Sequence, residues 1–519
     1  MMKKIYIALL ISSAAAFTSC DMDTEQAGVI TIENALKTKT DCDKFMNTIY
    51  NNLRSTTAGA YMSRVELQMD KFVGTVNNGN RGMLFSSASI EASNSDVESI
   101  FYGMYVGINN CNYFIPGAQA ILDGGNVQAK DAEDIKYKIG AAKFARAYYY
   151  TYLMDHFCET YSSANANTPA KGLPIVLVYS PSANRGSYPG RSTLQETVNQ
   201  INTDLTEAYD AVKAYEDNVS MQYVTPCAAY INSYAIEALQ ARVALLTGDY
   251  KTALEKAEDV IGSMKFTLSE GDDYKTMWTT DEGTELIFVP FGDLSEYGSV
   301  PNTGATWLTN DDENTSDFIP TPSAVSVYDN GDVRKEAFFT EYDLLWEGNE
   351  ATGPVFCKYP GNPLFNDGAE NRLTNKPKPF RTSELYLIAA EAAASDGPQK
   401  NEGTALAYLN ELRAARIDGY QEISGLTGAN LMNAIRDERT KELIGEGFRM
   451  SDLRRWGQGF NRTANYVNLG YDAVLNSFIQ PNSNNVNYTP GYYMYIWPLP
   501  QAELDVNPQL AGQQNLGYY

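Results

Sequence analysis

The side chains best suited to chemistry are few and far apart. The only histidine of the 519 residues is His156, in the stretch LMDHFCE. One histidine cannot build a multi-histidine metal site, and no serine or cysteine beside it has the setting of an activated nucleophile. We therefore expect His156 to be buried or to end a helix, without a catalytic role.

The 64 aspartates and glutamates are the remaining resource for catalysis. Glycoside hydrolysis needs two carboxylates that meet in space, and no stretch of the sequence favours one pair over another. Neither G-x-x-x-x-G-K-[ST] nor a G-x-G-x-x-G after a strand occurs, so no nucleotide site is predicted. We predict that the chain is not an enzyme and has no catalytic residues, with a surface glycosidase as the alternative.

The stretch TNDDENTSD, which ends at Asp317, concentrates oxygen ligands of the kind that calcium prefers. The glycine and the terminal glutamate of a known calcium loop are out of register here. We therefore predict a solvated acidic loop, with a calcium site as the alternative and no other metal or cofactor.

Aromatic side chains in loops suggest binding. The chain has 36 tyrosines, and many lie in helical patterns where core packing explains them. The rings of Tyr297, Trp307, Trp346 and Phe85 lie instead in stretches rich in polar residues. Flat rings beside polar groups suit the faces of sugars or the side chains of peptides.

The N-terminus has the layout of an export signal: Lys3 and Lys4, then an apolar run from Ile5 to Phe17. That run is shorter than the ~20 residues of a membrane-spanning helix. The run is followed by TSC, which ends at Cys20 and resembles the end of a bacterial lipobox. We predict a signal peptide at 1–19, lipidation of Cys20 and a tether at 20–35, whose acidic residues resemble a signal for transfer to the cell surface.

The formal charge is −24, and loss of residues 1–19, with two lysines and no acid, makes it more negative. Nucleic acids and anionic lipids attract basic proteins, so we predict no nucleic-acid partner. The five cysteines after Cys20 are scattered without a C-x-x-C pair, so zinc-type spacing is absent.

Helical periodicity predicts the elements that carry these residues. Helices are expected in 97–115, 135–157 and 191–212, the last with a capping box from Thr193 and Glu196. Residues 235–261 and 383–416 predict two helical hairpins, and the first is similar to a tetratricopeptide unit.

Residues 266–380 and 461–519 are rich in turn-forming residues, with only one short strand-like run, LIFVPF. We predict a mostly α protein whose domain spans 36–519. Its tetratricopeptide-like helical hairpin scaffold occupies 36–265 and 381–460, and its large loop-rich insertions are 266–380 and 461–519.

Several motifs occur in an order that resembles the SusD/RagB family of outer-membrane nutrient-binding lipoproteins. They are GAAKFARAYYYTYLMDHF, GLPIV, PGRSTLQETVNQINTDL, PFRTSELYLIAAEAAA, LNELRAAR, RDERTKELIGEGFRMSDLRRWG and the closing WPLPQAELDVNPQLAGQQNLGYY. The resemblance implies a SusD-like fold anchored by lipid at the cell surface of the outer membrane. It also implies that the chain is a lid on a TonB-dependent, SusC/RagA-like transporter, without catalysis, and captures oligosaccharides.

The resemblance also implies a ligand site in the loops. It assigns ligand contacts to loop aromatics and polar groups, here Tyr297, Trp307, Asn77, Asn78, Arg81 and Phe85. The stretches ELIGEGFR and GYYMYIWPLPQ are closer to the RagB branch, so oligopeptide capture is the alternative. The motif residues Glu438, Arg439, Glu446 and Arg449 are expected to form ion pairs between helices and to lie outside the binding site.

Overall fold

The computed structural model describes residues 35–219, 229–307, 316–365 and 373–518. The predicted signal peptide, Cys20, Cys227 and most of TNDDENTSD lie outside these residues. Among the described helices, none is both long and apolar enough to cross a membrane.

Sixteen α-helices occur in the described ranges. They are α1 Lys39–Thr56, α2 Ala60–Gln68, α3 Met83–Ser86, α4 Ser95–Asp123, α5 Ala129–Phe157, α6 Leu194–Val219, α7 Ser233–Thr247, α8 Tyr250–Gly262, α9 Gly271–Thr280, α10 Pro322–Val325, α11 Val333–Phe338, α12 Thr382–Ala394, α13 Glu402–Arg416, α14 Gly428–Leu443, α15 Arg449–Arg455 and α16 Gln501–Val506.

Eight short strands form four antiparallel pairs in the same part of the chain. The pairs are β1 Phe72–Gly74 with β3 Phe318–Pro320, β2 Leu286–Phe288 with β6 Phe380–Arg381, β4 Phe339–Trp346 with β5 Asn349–Phe356, and β7 Phe460–Arg462 with β8 Val486–Tyr488.

The scaffold consists of antiparallel helical hairpins, as predicted. Helix α5 packs against α4 and α6, and α12 packs against α8, α13 and α14. The predicted capping box begins α6: the amide of Glu196 donates to Thr193 Oγ1 at 3.1 Å, and the amide of Thr193 donates to the Glu196 carboxylate at 2.8 Å. Gly248, with φ +74°, ends α7 and starts the short turn to α8. The prediction of a mostly α, tetratricopeptide-like fold is confirmed.

The helices approach closely where small residues face large ones. A Cβ atom on Gly107 of α4 would lie 2.5 Å from the Tyr149 ring of α5. Tyr149 belongs to one large apolar core that joins the helical hairpins to the loops around them. Any larger residue at 107 would push α4 away from α5.

The predicted ion pairs of the signature motif are present. Arg334 binds Glu438 at 2.6 Å, Arg439 binds Asp452 at 2.8 Å, Arg381 binds Glu446 at 2.6 Å, and Arg449 binds Asp70 at 2.7 Å. These pairs are mostly buried and connect α14 and α15 to α11, β6 and the end of α2. The motif therefore holds the fold together.

The loop-rich segment 266–380 contains more β-structure than the sequence reading allowed. Strands β4 and β5 form an eight-residue hairpin whose register runs from Phe339↔Phe356 to Trp346↔Asn349. Its two-residue turn, Glu347-Gly348, has φ +45° and +78°, which is the positive-φ pair that a tight hairpin turn requires. The expectation of only one short strand in this segment was wrong. The inner face of the hairpin covers a small second core around Leu475 and Phe478.

Candidate functional site

The turn between β1 and α3 carries the predicted residues Asn77, Asn78 and Arg81. Its backbone has positive φ at Gly79, Asn80 and Gly82. The Asn78 side chain accepts a bond from the Asn80 amide at 2.8 Å and donates to the Arg81 carbonyl at 3.3 Å. Asn78 is only 2% exposed. The expectation that it contacts a ligand is therefore corrected, because its amide is used to hold the turn.

Asn77 and Arg81 remain at the surface of this turn. Asn77 Nδ2 donates to the carbonyl of Leu345 at 3.2 Å, which ties the turn to the tip of the β4–β5 hairpin. The Arg81 side chain is 60% exposed and lies 2.6 Å from the buried Asp317 carboxylate. One carboxylate thus orients Arg81 while most of its side chain still faces solvent.

The hairpin places an aromatic ring beside this turn. Trp346 follows Leu345, is half-buried, and contacts the Phe478 ring at 6.0 Å between centroids. Sequence reasoning identified Trp346 as a loop aromatic but not the hairpin that positions it. We call the surface of Asn77, Arg81 and Trp346 the turn–hairpin face.

A polar groove of about 900 Å³ follows the outer side of the same hairpin. Tyr471 donates to Glu341 at 2.8 Å, and Thr352 donates to Asp343 at 2.7 Å. Other lining residues include Lys335, Glu350, Leu469 and Asp472. Its volume is typical of a small-ligand site, and its hydroxyl and carboxylate groups suit the hydroxyls of a sugar. Sequence reasoning missed this groove because its walls come from 325–352 and 469–472.

Two predicted ligand aromatics belong to the core. The fully buried Trp307 ring packs 4.2 Å from Phe72 and 5.1 Å from Phe356 between centroids. The equally buried Phe85 packs 5.6 Å from Trp497. Their expected exposure to a ligand was wrong, because these loops pack their own rings against the scaffold and offer none of that surface to solvent.

Tyr297 lies in a 3₁₀ helix, Leu294–Ser299, but its side chain is outside the described part of the structure. The neighbouring Glu296 pairs with Arg54 at the end of α1, at 2.9 Å. A ligand contact by Tyr297 therefore stays a prediction.

Two titratable groups whose pKa values are shifted by burial, His156 and Glu66, are internal. Burial lowers the pKa of His156, whose ring stacks on Tyr152 at 4.0 Å in the last turn of α5, as predicted for a buried histidine at a helix end. Burial raises the pKa of Glu66 to about 7, and its carboxylate accepts a bond from the Gly447 amide at 2.8 Å. Neither side chain reaches the groove or the turn–hairpin face.

Metal binding was the other chemical alternative. Within the described ranges, no group of three or more histidine, cysteine, aspartate or glutamate side chains is arranged to hold a metal ion. The calcium alternative at TNDDENTSD lies mostly outside those ranges.

Two family models match separate parts of the chain. The model for the SusD family matches residues 340–518, and a model described as starch-binding associating with outer membrane matches residues 31–243. A SusD-like protein from Formosa agariphila is 33% identical over 162 residues, which are 30% of this chain and 26% of that protein. The match therefore spans about a quarter of that relative.

Solved structures share the whole fold at low identity. A SusD superfamily protein from Bacteroides thetaiotaomicron is 23% identical, with a TM-score of 0.74 over 91% of this chain and 98% of that one. A putative sugar binding protein from Bacteroides vulgatus is 24% identical, with a TM-score of 0.73 over 93% of this chain and 100% of that one. These likenesses establish the architecture.

Proposed function

This chain belongs to the SusD/RagB family, and from that premise we propose that it is a cell-surface lipoprotein that captures oligosaccharides for a TonB-dependent outer-membrane transporter. The observation that carries the proposal is the open polar groove along the outer side of the hairpin, which is lined by Tyr471, Thr352 and four carboxylates. Rings, hydroxyls and carboxylates together suit neutral sugars, which present both apolar faces and hydroxyl edges. The description of one structural neighbour as sugar binding supports the same ligand class.

Oligopeptide capture is the second candidate. The groove contains Glu341, Asp343, Glu350 and Asp472 against one lysine, Lys335, so it would accept basic side chains. The two ligand classes respond differently to salt. A neutral oligosaccharide should bind with little dependence on ionic strength, whereas a basic peptide should bind more weakly as salt is added.

We expect Trp346→Ala to weaken oligosaccharide binding by at least ~10-fold, because a central aromatic contributes roughly 2 kcal/mol when it is a hot spot. The measurement is calorimetry with a panel of neutral oligosaccharides, starting with α-linked glucose oligomers. Tyr102→Ala is the matched control, because Tyr102 is an exposed ring on α4. Unchanged affinity of the Trp346 variant would place the ligand elsewhere.

Lipidation of Cys20 remains a proposal that rests on the lipobox-like TSC. We expect Cys20→Ala to leave the chain as an uncleaved precursor or to release it from the membrane, since the acyl chains supply the anchor. Cell fractionation and mass spectrometry of the mature N-terminus measure this. Cys357→Ala, at a free thiol far along the chain, should stay anchored. Membrane attachment of the Cys20 variant equal to wild type would contradict the proposal.

The transporter partner is also a proposal, supported by the family resemblance. A lid needs a broad contact, and stable complexes of this kind bury more than ~2,000 Å². Affinity purification from native membranes measures it directly. Recovery of the chain without any transporter would count against the partnership.

A further inference from the structure

A second groove, of about 590 Å³, lies beside α14 and the start of α15. It shares no lining residue with the acidic groove of the hairpin. Its walls include Asn433, Thr440, Trp456 and Gln458. The volume is again that of a site for a small ligand or for one end of a longer one.

The charges in this groove are opposite to those of the chain as a whole. Four cationic side chains line it, although the formal charge of the chain is −24. They are Lys71, Arg436, Lys441 and Arg449, and the one carboxylate among the lining residues is Asp437.

Neighbouring acids compensate three of these four cations. Asp70 serves two of them, at 2.7 Å from Arg449 and 3.1 Å from Lys71. Asp329 lies 3.3 Å from Lys441, and Arg413 shares that carboxylate. Arg413 also has its own acid, Glu438, at 2.7 Å, so Asp329 balances Lys441. With Asp70, Asp329 and Asp437 set against the four cations that line the groove, one positive charge remains.

Arg436 is the cation without an acidic partner among the described residues. Its guanidinium stacks on the Trp456 ring, 5.3 Å from the centroid, and its buried Nε has no hydrogen-bond acceptor within the part of the chain that the structure describes. Trp456 is itself held by a bond from its Nε1 to Glu391 at 2.9 Å. Stacking orients a guanidinium without using its N–H donors. Stacking thus orients the half-buried Arg436, and no described acid neutralises its charge.

We propose that this groove binds the carboxylate of an acidic sugar, a uronate unit of an oligosaccharide, with Arg436 as its partner. One cation lacking an acid matches one carboxylate, and a planar guanidinium pairs with a carboxylate through two parallel bonds. The amides of Asn433 and Gln458 line the same groove and suit the sugar hydroxyls. Long polyanions are disfavoured, because the rest of the strongly acidic chain repels them. The glycan nature of the ligand rests on the proposed function.

The test compares trigalacturonate with its fully methyl-esterified form, which has the same sugar backbone and no charge. At low ionic strength, calorimetry on the full mature chain should show at least ~10-fold tighter binding of the acid form, the scale of one charge-assisted contact. Arg436→Gln should abolish that preference. Lys251→Gln should keep it, because Lys251 is an exposed cation on α8, far from the groove in sequence.

Three outcomes would overturn the assignment. They are equal binding of acid and ester, wild-type binding by Arg436→Gln, and Arg436-dependent binding of a glutamate-rich peptide in place of the sugar. A failure of the uronate assignment can be told apart from a failure of the proposed function. The neutral panel and Trp346→Ala test oligosaccharide binding at the turn–hairpin face, and Arg436→Gln should leave that binding unchanged.

Discussion

Replacing Glu442 by glutamine is expected to lower the free energy of unfolding by about 3–5 kcal/mol, the range for removing one partner from a buried ion-pair network. Glu442 is fully buried, 2.9 Å from Arg381 and 3.0 Å from Arg416. A third guanidinium, that of Arg334, lies 3.2 Å from the Glu442 carboxylate. Glutamine keeps the size of the side chain but leaves three buried guanidinium groups short of one negative charge. Urea unfolding followed by circular dichroism measures the change.

The pH dependence gives a second reading of the same site. Burial alone would raise the pKa of Glu442, but Arg416, Arg381 and Arg334 outweigh burial and hold it well below its usual range. A carboxyl whose pKa is lower in the folded state stabilises the fold above its unfolded pKa, about 4.3, and loses that contribution as pH falls. The difference in the free energy of unfolding between wild type and Glu442→Gln should therefore be largest at neutral pH and should decrease below about pH 4.

Glu336→Gln is the matched control, because Glu336 also pairs with a cation, Lys275, at 2.7 Å but is 75% exposed. Exposed pairs contribute about 0–1 kcal/mol, so this variant should unfold close to wild type. If Glu442→Gln lowered the free energy of unfolding by less than ~1 kcal/mol, the three arginines around Glu442 would have to find other hydrogen-bond partners.

The helical scaffold was readable from the sequence because its signals are local. The apolar spacing of α6, the Thr193–Glu196 capping box and the break at Gly248 each involve residues a few positions apart. The ion pairs of the signature motif were readable from the family resemblance. Their partners, such as Arg334 and Asp70, lie far away in sequence, so spacing alone could not have named them.

The β4–β5 hairpin carried a local signal that the composition of its segment concealed. Gly348 between two alternating runs is a turn signal, and the outer face of the first strand alternates Glu341, Asp343 and Leu345. The high content of turn-forming residues in the surrounding segment 266–380 favoured the prediction of loops. The basic groove had no such signal, because two residues that meet beside it, Arg449 and Asp70, are 379 positions apart in the sequence.

Loop aromatics show most clearly what a sequence leaves undecided. Trp307 and Trp346 both stand among polar residues, yet one is fully buried and the other half-exposed. The difference depends on partners far away in the chain: Phe72 and Phe356 both pack on the Trp307 ring, whereas Trp346 contacts the Phe478 ring at the edge of the small second core. Local composition contains no information about either partner.

Trp307→Ala should therefore lower the free energy of unfolding by about 3–5 kcal/mol, the usual cost of removing a buried tryptophan ring. The ring lies between Phe72 and Phe356, at centroid distances of 4.2 Å and 5.1 Å, and its loss opens a cavity beside β1 and β5. Because Trp307 offers no surface to a ligand, the folded fraction of the variant should bind oligosaccharides with an affinity within about twofold of wild type, below ~0.5 kcal/mol. Trp346→Ala should show the opposite pattern, with weaker binding and a smaller loss of stability. Urea unfolding and calorimetry on both variants separate these effects. A stable Trp307→Ala chain that no longer binds would reverse the assignment and restore Trp307 as a ligand contact.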